Sequence, residues 1–198
     1  HSPAGGYDYR FVDRNYDRRF TGSEQEQERL REEGLDKGQL TLRDEDVRFW
    51  RAIYDEKINR VDASFARFMR EFEKLGLGDK TLLVLTSDHG TEFYEHRRFD
   101  HGFTLYNEQL RVPLIFRLPG QSSGMMLEDR IGSIDVMPTI LDLLDLDTPE
   151  IARKQMRGAS LVSTFRGDSM TRDVFAETDY RQYTYKRAIV AQDGWKLI

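Results

Sequence analysis

The sequence predicts an α/β fold in which helices flank a mostly parallel central sheet. Three observations support this class: one long amphipathic segment, two continuous apolar runs, and the alternation of helix-like and strand-like segments along the chain. The apolar runs cover residues 81–85 and 112–118. Unbroken runs of this length are typical of parallel strands that are covered on both faces.

The strongest helix signal lies between residues 41 and 75. Apolar side chains recur there at steps of three or four residues and form one stripe over about eight turns. Thr41 is the expected N-cap, and Gly76 with Gly78 forms the stop signal. We expect the stripe to pack in the core. Its members are Val47, Trp50, Tyr54, Ile58, Val61, Phe65, Phe68, Phe72 and Leu75.

The chain divides into three parts. Residues 1–40 are turn-rich and charged, which predicts a surface excursion and loop with one short helix ending at Gly34. Residues 41–145 hold the long helix, both apolar strands and a short amphipathic helix over residues 134–144. Residues 146–198 form the C-terminal part. Three further strands are expected there, at residues 174–176, 188–191 and 195–198.

The composition argues against several functional classes. The 198 residues include 30 Lys and Arg and 35 Asp and Glu, for a net charge of −5, so no basic face for nucleic acid is indicated. There is no cysteine, and therefore no disulfide or thiolate metal site. No apolar run approaches the roughly 18 residues of a membrane span. No Gly-x-Ser-x-Gly elbow, phosphate-binding P-loop or dinucleotide fingerprint is present.

Candidate metal ligands come directly after the first apolar run. Asp88 and His89 lie at the carboxyl end of that predicted strand, where open α/β sheets present ligand-binding groups. A carboxylate beside an imidazole can bind a divalent cation, or one group can ligate while the other contacts substrate. The alternative, from spacing alone, is a helix-capping aspartate beside a surface histidine.

His101 is the candidate for proton transfer. It stands between an aspartate and a glycine, and the glycine would allow an anion to approach closely. The alternative is a histidine in a surface loop. His96 is interpreted as a solvated or supporting residue. Arg97 and Arg98 could attract an anionic substrate, although a solvated charged run is the simpler interpretation.

Taken in order, these segments resemble the sulfatase family of the alkaline-phosphatase-like superfamily. The central match is residues 80–90, which end in Thr86-Ser87-Asp88-His89-Gly90. It is followed by His101-Gly102-Phe103-Thr104-Leu105-Tyr106-Asn107-Glu108 and Leu110-Arg111-Val112-Pro113-Leu114-Ile115. Further motifs fit the family's order at residues 53–58, 134–144, 158–161 and 194–198. The chain is similar to the C-terminal portion of a sulfatase catalytic domain.

The resemblance implies roles for matching positions. Asp88 and His89 match two ligands of the catalytic cation. His101 matches a position, Lys or His in relatives, that contacts the sulfate and assists the leaving group. His1 begins a segment similar to the family's His-x-Pro element, whose histidine faces the ester oxygen. The implied cation is divalent, with calcium favoured, and manganese or zinc as alternatives because imidazole suits them better.

Two family elements are absent from these residues. One is the acidic pair that completes the metal site, and the other is the Cys- or Ser-x-Pro-x-Arg element, whose first residue becomes the formylglycine nucleophile. We therefore expect residues 1–198 to be a partial catalytic domain, incomplete at both ends. Formylglycine is expected only in a missing N-terminal part, and residues 1–198 alone are expected to be inactive.

The resemblance thus implies a sulfuric ester hydrolase that cleaves a sulfate-ester small molecule or glycan with metal assistance. The first alternative is a phosphate or phosphonate ester hydrolase of the same superfamily. The second is a non-catalytic domain that binds partners through the same surface. Neither nucleic acid nor a membrane span is expected, and no pattern indicates the oligomeric state.

Overall fold

The computed structural model describes residues 6–36, 40–180 and 184–198. The α-helices are α1 (Glu24–Asp36), α2 (Asp44–Lys74), α3 (Asn107–Leu110), α4 (Val136–Leu143) and α5 (Glu150–Gln155). The strands are β1 (Leu83–Thr86), β2 (Glu92–Phe93), β3 (Phe99–Asp100), β4 (Leu114–Arg117), β5 (Val174–Tyr180), β6 (Thr184–Val190) and β7 (Lys196–Leu197). The chain forms two compact units that divide after Ser122. Among the described residues, no helix is both long and apolar enough to cross a membrane.

The long helix begins later than its sequence suggests. Arg43, in an extended conformation, is the N-cap of α2, so the expectation that Thr41 has this role is wrong. The buried side chain of Asp46 decides the start. Its Oδ2 accepts the Arg43 backbone N–H at 3.1 Å and the Arg43 Nε at 3.0 Å, and its Oδ1 accepts the Tyr16 hydroxyl at 2.9 Å. These bonds satisfy backbone and side-chain groups at the helix N-terminus.

The apolar stripe of α2 is only partly buried. Of its members, Trp50 and Phe72 are buried, whereas Ile58, Val61 and Phe68 are more than half exposed. The expectation that the whole stripe packs in the core is therefore wrong within the described residues. The main core comes from the segment before α2 and from β3, and it packs on the N-terminal half of α2 around Trp50.

The segment before α2 supplies half of the main core. The sequence predicts a surface excursion there, yet four of its large apolar residues are buried. The Tyr16 ring stacks on Phe49 with centroids 4.6 Å apart, and Trp50 meets Phe99 edge-on at 5.1 Å. A few bulky rings bury a large area even in a charged segment. The buried core comprises Tyr16, Phe20, Leu30, Leu40, Phe49, Trp50, Ile53 and Phe99.

The first unit contains two small antiparallel sheets. Strand β1 pairs with β4, with Leu83 opposite Arg117, and β2 pairs with β3 in a hairpin. In the second unit, β5, β6 and β7 form an antiparallel sheet. The α/β class holds, but every strand pairing in the described parts of the chain is antiparallel, so the mostly parallel central sheet is not seen. The strands β1 and β4 are also only partly buried, and Ile115 is 53% exposed, so the expectation that both faces are covered is wrong for these two strands.

The second unit is organised around the buried Asp135. Its carboxylate accepts the backbone N–H of Gly132 at 2.9 Å and of Ala159 at 2.8 Å, and it pairs with the Arg172 guanidinium. A short 3-10 helix and α4 follow one another here, close to the single helix predicted over residues 134–144. The three predicted C-terminal strands correspond to β5, β6 and β7, and β5 continues to Tyr180 while β6 already begins at Thr184.

Candidate active site

The turn after β1 is held by local hydrogen bonds and one close backbone contact. Ser87 Oγ donates to the carbonyl oxygen of His89 at 2.8 Å, and the Gly90 N–H donates to the carbonyl oxygen of Gln109 at 2.8 Å. A Cβ atom on Gly90 would lie only 2.0 Å from the carbonyl oxygen of Glu108. Glycine is therefore required where this turn crosses α3.

Asp88 and His89 direct one donor atom each towards the same region. The His89 Nε2 lies 3.7 Å from the Asp88 Oδ2. The His89 Nδ1 is 2.8 Å from the carbonyl oxygen of Gly90. Because a carbonyl oxygen can only accept a hydrogen bond, Nδ1 carries the proton and the lone pair of the neutral ring is on Nε2. When His89 is protonated, its charge lowers the pKa of the Asp88 carboxyl, against a smaller opposing effect of burial. Both side chains are accessible to solvent.

His101 lies directly against His89. The two imidazole rings stack with centroids 3.8 Å apart and planes inclined by 24°. The His101 Nδ1 lies 2.7 Å from the Asp100 Oδ1. The structure therefore brings together Asp88, His89 and His101, although eleven residues of chain separate the two histidines.

Asp100 is a buried carboxylate that supports His101 from behind. Its Oδ2 accepts the Gln27 Nε2 at 3.1 Å and lies 3.5 Å from an Arg31 guanidinium nitrogen. Burial raises the pKa of the Asp100 carboxyl, but hydrogen bonds and charge from His101, Gln27 and Arg31 lower it by more, so its pKa lies below its ordinary value. Asp100 also adopts a left-handed backbone conformation, with φ at 76°.

A second buried network lies beneath the turn, and the sequence did not reveal it. The Glu92 Oε2 accepts the Thr104 hydroxyl at 2.8 Å and the Gln109 Nε2 at 3.1 Å. The Gln109 Oε1 in turn accepts the Gly102 N–H at 3.0 Å, next to His101. Thr104 lies within one of the segments that resemble the family, and Gln109 lies next to it. This position was the only sequence feature that could have pointed to the two residues. Nothing local distinguishes them from exposed polar residues.

The remaining candidate residues have other positions. The His96 ring stacks on Tyr106 at 3.5 Å, and its Nε2 lies 3.6 Å from the Glu108 Oε2. The Arg98 guanidinium donates to the carbonyl oxygen of Gly34 at 2.8 Å, so it fastens the hairpin to α1. His1, the other predicted catalytic residue, lies outside the described residues.

The donor set around Asp88 fits part of a divalent-cation site. One carboxylate oxygen and one imidazole nitrogen can reach a common ion, and the bond from His89 to Gly90 is the support that metal-bound histidines typically receive. Within residues 6–36, 40–180 and 184–198, no three His, Cys, Asp or Glu side chains cluster closely enough to hold a metal. Asp88 and His89 alone would supply only two ligands, fewer than a complete metal site needs.

The α/β scaffold is similar to that of alkaline-phosphatase-like hydrolases, and it brings Asp88, His89 and His101 together. The family model described as Sulfatase matches residues 5–146. The chain belongs to the sulfatase family, which confirms the resemblance seen in its motifs. The motifs at residues 158–161 and 194–198 lie beyond the matched range.

Known relatives include both sulfatases and phosphonate hydrolases. The chain is 36% identical over 119 residues to the multifunctional alkaline phosphatase superfamily protein PehA of Trinickia caryophylli, covering 59% of this chain and 23% of PehA. It is 32% identical over 124 residues to N-acetylglucosamine-6-O-sulfatase of Bacteroides thetaiotaomicron, covering 62% of this chain and 21% of that protein.

A solved structure supports the fold. The phosphonate monoester hydrolase SpPMH from Silicibacter pomeroyi matches with a TM-score of 0.64 and 28% identity, over 78% of this chain and 33% of that one. The chain thus spans about a fifth to a third of the length of these relatives.

Proposed function

We propose that the protein containing these residues is a sulfuric ester hydrolase. In this proposal Asp88 and His89 are two ligands of a divalent cation, and His101 donates a proton to the departing alcohol. The observation that carries the proposal is the stacked pair of imidazoles beside the Asp88 carboxylate. Membership of the sulfatase family supports the reaction class.

The reaction requires a proton at one particular atom. Hydrolysis of a sulfate ester breaks the bond between sulfur and the ester oxygen, whose electron pair stays on that oxygen. An acid must then protonate it, so that water is consumed and an alcohol and a sulfate ion are released. The Asp100 contact at the His101 Nδ1 assigns this role to Nε2. A bound cation would neutralise sulfate oxygens as charge redistributes.

The attacking group is not assigned to any residue described here. The family resemblance implies a formylglycine outside these 198 residues, which contain no cysteine. We therefore propose that residues 1–198 alone turn over no aryl sulfate. Turnover above buffer by this chain alone would contradict that statement.

The cation is proposed to be calcium. Restoration of activity after removal of metal by a chelator tests this, with Ca²⁺, Mn²⁺ and Zn²⁺ added separately. Replacing the imidazole by an amide oxygen in His89→Asn should favour Ca²⁺ further, because calcium prefers oxygen ligands. Recovery only with Mn²⁺ or Zn²⁺ would show that the choice of calcium is wrong.

The substrate is proposed to be a sulfated sugar or a related sulfate ester, since a relative 32% identical is named for removing sulfate from N-acetylglucosamine. A phosphonate monoester is the second candidate. The SpPMH structure, a phosphonate monoester hydrolase at 28% identity, favours it specifically.

Kinetics of the full-length gene product on matched aryl sulfate, phosphonate and sugar-sulfate esters test the function. We expect the sulfate esters to have the highest kcat/KM. Asp88→Ala should lower it roughly 10³-fold through loss of the cation's electrostatic stabilisation, and Glu32→Gln on the exposed face of α1 should not change it. Preference for the phosphonate would establish the second candidate, and full activity of Asp88→Ala would contradict both.

A further inference from the structure

We infer that Asp100, Gln27 and Lys57 form a relay of positioning residues that orients His101 from two helices distant in sequence. This inference rests on the proposed function, because it concerns how the proton donor is held. It assigns a role to α1, which lies in the segment predicted to be a surface excursion.

The relay is a continuous chain of side-chain contacts. The Lys57 Nζ, on α2, lies 3.1 Å from the Gln27 Oε1, on α1. The Gln27 Nε2 donates to the Asp100 Oδ2 at 3.1 Å, and the Asp100 Oδ1 lies 2.7 Å from the His101 Nδ1. The lysine orients the amide, since it can only donate and so fixes which end of Gln27 faces Asp100.

Asp100 is suited to hold an imidazole in one orientation. It is 4% exposed, so its carboxylate must find partners within the protein, and Gln27, His101 and Arg31 provide them. A carboxylate at the Nδ1 of a histidine fixes its tautomer and ring plane. The Nε2 of His101 is thereby held in one direction, as a proton donor to a bound ester requires.

The backbone at Asp100 provides a separate observation. Its φ of 76° lies in the left-handed region, which costs energy for residues other than glycine but is tolerated by Asp and Asn. Such strain persists where the surroundings over-determine a conformation, commonly at functional sites. Here it directs the carboxylate towards both α1 and the His101 ring.

A purely structural role for the relay makes a different prediction from a positioning role. If the relay only stabilised the fold, its loss would lower the rates for all esters equally. If it orients the proton donor, its loss should affect esters of poorly acidic alcohols selectively, because activated aryl esters need little protonation of the leaving oxygen.

The test compares Asp100→Asn and Gln27→Ala with Gln25→Ala in the full-length gene product. Asparagine keeps the size and the tolerated backbone conformation, and Gln25 is an exposed glutamine on the same helix. For an ester with a poor leaving group, we expect kcat to fall roughly 10²-fold in Asp100→Asn and about tenfold in Gln27→Ala. For a nitrophenyl ester, both variants should stay within about threefold, and Gln25→Ala should match the unsubstituted protein throughout.

A spectroscopic measurement tests the relay without turnover. The ¹⁵N NMR signals of His101, identified by their loss in His101→Gln, should report a proton on Nδ1 in the neutral ring. That preference should weaken in Asp100→Asn. Thermal unfolding of each variant shows whether it is folded.

The possible outcomes separate the inference from the function on which it rests. Equal losses on good and poor leaving groups, or a proton on Nε2 in the neutral ring of the unsubstituted protein, would overturn the relay alone. Absence of turnover by the unsubstituted protein on every ester would overturn the proposed function and this inference with it.

Discussion

At the scale of single residues, Gly90 controls how closely the Asp88–His89 turn approaches α3. Its backbone N–H donates to Gln109, and a Cβ atom there would meet the Glu108 carbonyl oxygen at 2.0 Å. That contact is between backbone atoms, so no side-chain rotation can relieve it. The turn could accept an alanine only by moving away from α3.

We therefore predict that Gly90→Ala destabilises the full-length protein by about 2 kcal/mol, as overpacking typically does. Urea unfolding measures this change. Activity should fall as well, because Asp88 and His89 move with the turn. Gly124→Ala is the matched control, since a Cβ atom there meets nothing within 4 Å. Equal stability of the two variants would show that the turn relaxes without cost.

The residues predicted for the site could be identified from the sequence, whereas the residues that support them could not. Asp88, His89 and His101 stand in short motifs beside an apolar strand, and the structure places them together. Gln27 and Glu92 make their contacts through the folded chain, and Gln27 reaches Asp100 across 73 positions. No local pattern encodes a contact at that separation, so sequence reasoning could not find it.

At the scale of elements, the N-terminus of α2 is held by a charge cluster around Asp46. Burial raises the pKa of the Asp46 carboxyl, but hydrogen bonds from Arg43 and Tyr16 and the charge of Arg19 lower it by more, to about 2. Burial, followed by the hydrogen bond to Asp46, raises the pKa of the Tyr16 hydroxyl. The cluster therefore favours the ionised form of Asp46 in the folded protein.

This arrangement predicts a loss of stability in acid. The folded pKa of Asp46 lies below the unfolded value near 4, so the folded protein binds fewer protons than the unfolded protein in that range. The stabilisation should be fully present above about pH 4 and should be lost as the pH falls towards 2.

Asp46→Asn tests this expectation. At pH 7 the variant should be about 2 kcal/mol less stable, since it loses charge-assisted hydrogen bonds. The difference from the unsubstituted protein should shrink as the pH falls from 4 to 2 in a series of thermal unfolding curves. Asp44→Asn, at an exposed position in the same turn, is the control. A difference that does not depend on pH would contradict the role of Asp46.

Elements were predicted better than their pairing. The existence of α2, α4, both apolar strands and the three C-terminal strands follows from periodicity and composition. The direction of β1 relative to β4, and the start of α2, did not follow. Strand direction depends on connections through space, and the helix start depends on Asp46 meeting Tyr16 across 30 positions.

At the scale of the whole molecule, a long apolar face of α2 stays exposed among the described residues. Ile58, Val61 and Phe68 are 52%, 68% and 52% exposed. Large exposed apolar patches bind other apolar surfaces. The same residues belong to the predicted stripe, so the sequence identified their apolar character but not their exposure.

We predict that residues 1–198 expressed alone bind the dye anilinonaphthalene sulfonate through this face. The triple substitution Ile58→Ser, Val61→Ser and Phe68→Ser should lower the dye fluorescence. The substitutions Ala63→Ser and Ala66→Ser, at exposed positions of the same helix, should not lower it. If the triple variant and the unsubstituted chain bind the dye equally, the exposed face is not the site of binding.

Because Trp50 is buried, the fluorescence of this tryptophan reports on the first unit, which contains the candidate site. The chain has two tryptophans, and each unit holds one: Trp50 is 2% exposed and Trp195 is 79% exposed. An indole shielded from water emits at shorter wavelength than a solvated one, so the two signals should separate. Because Trp50 touches Phe99, the neighbour of Asp100, the blue edge of the fluorescence spectrum should follow the integrity of the hairpin that carries Asp100.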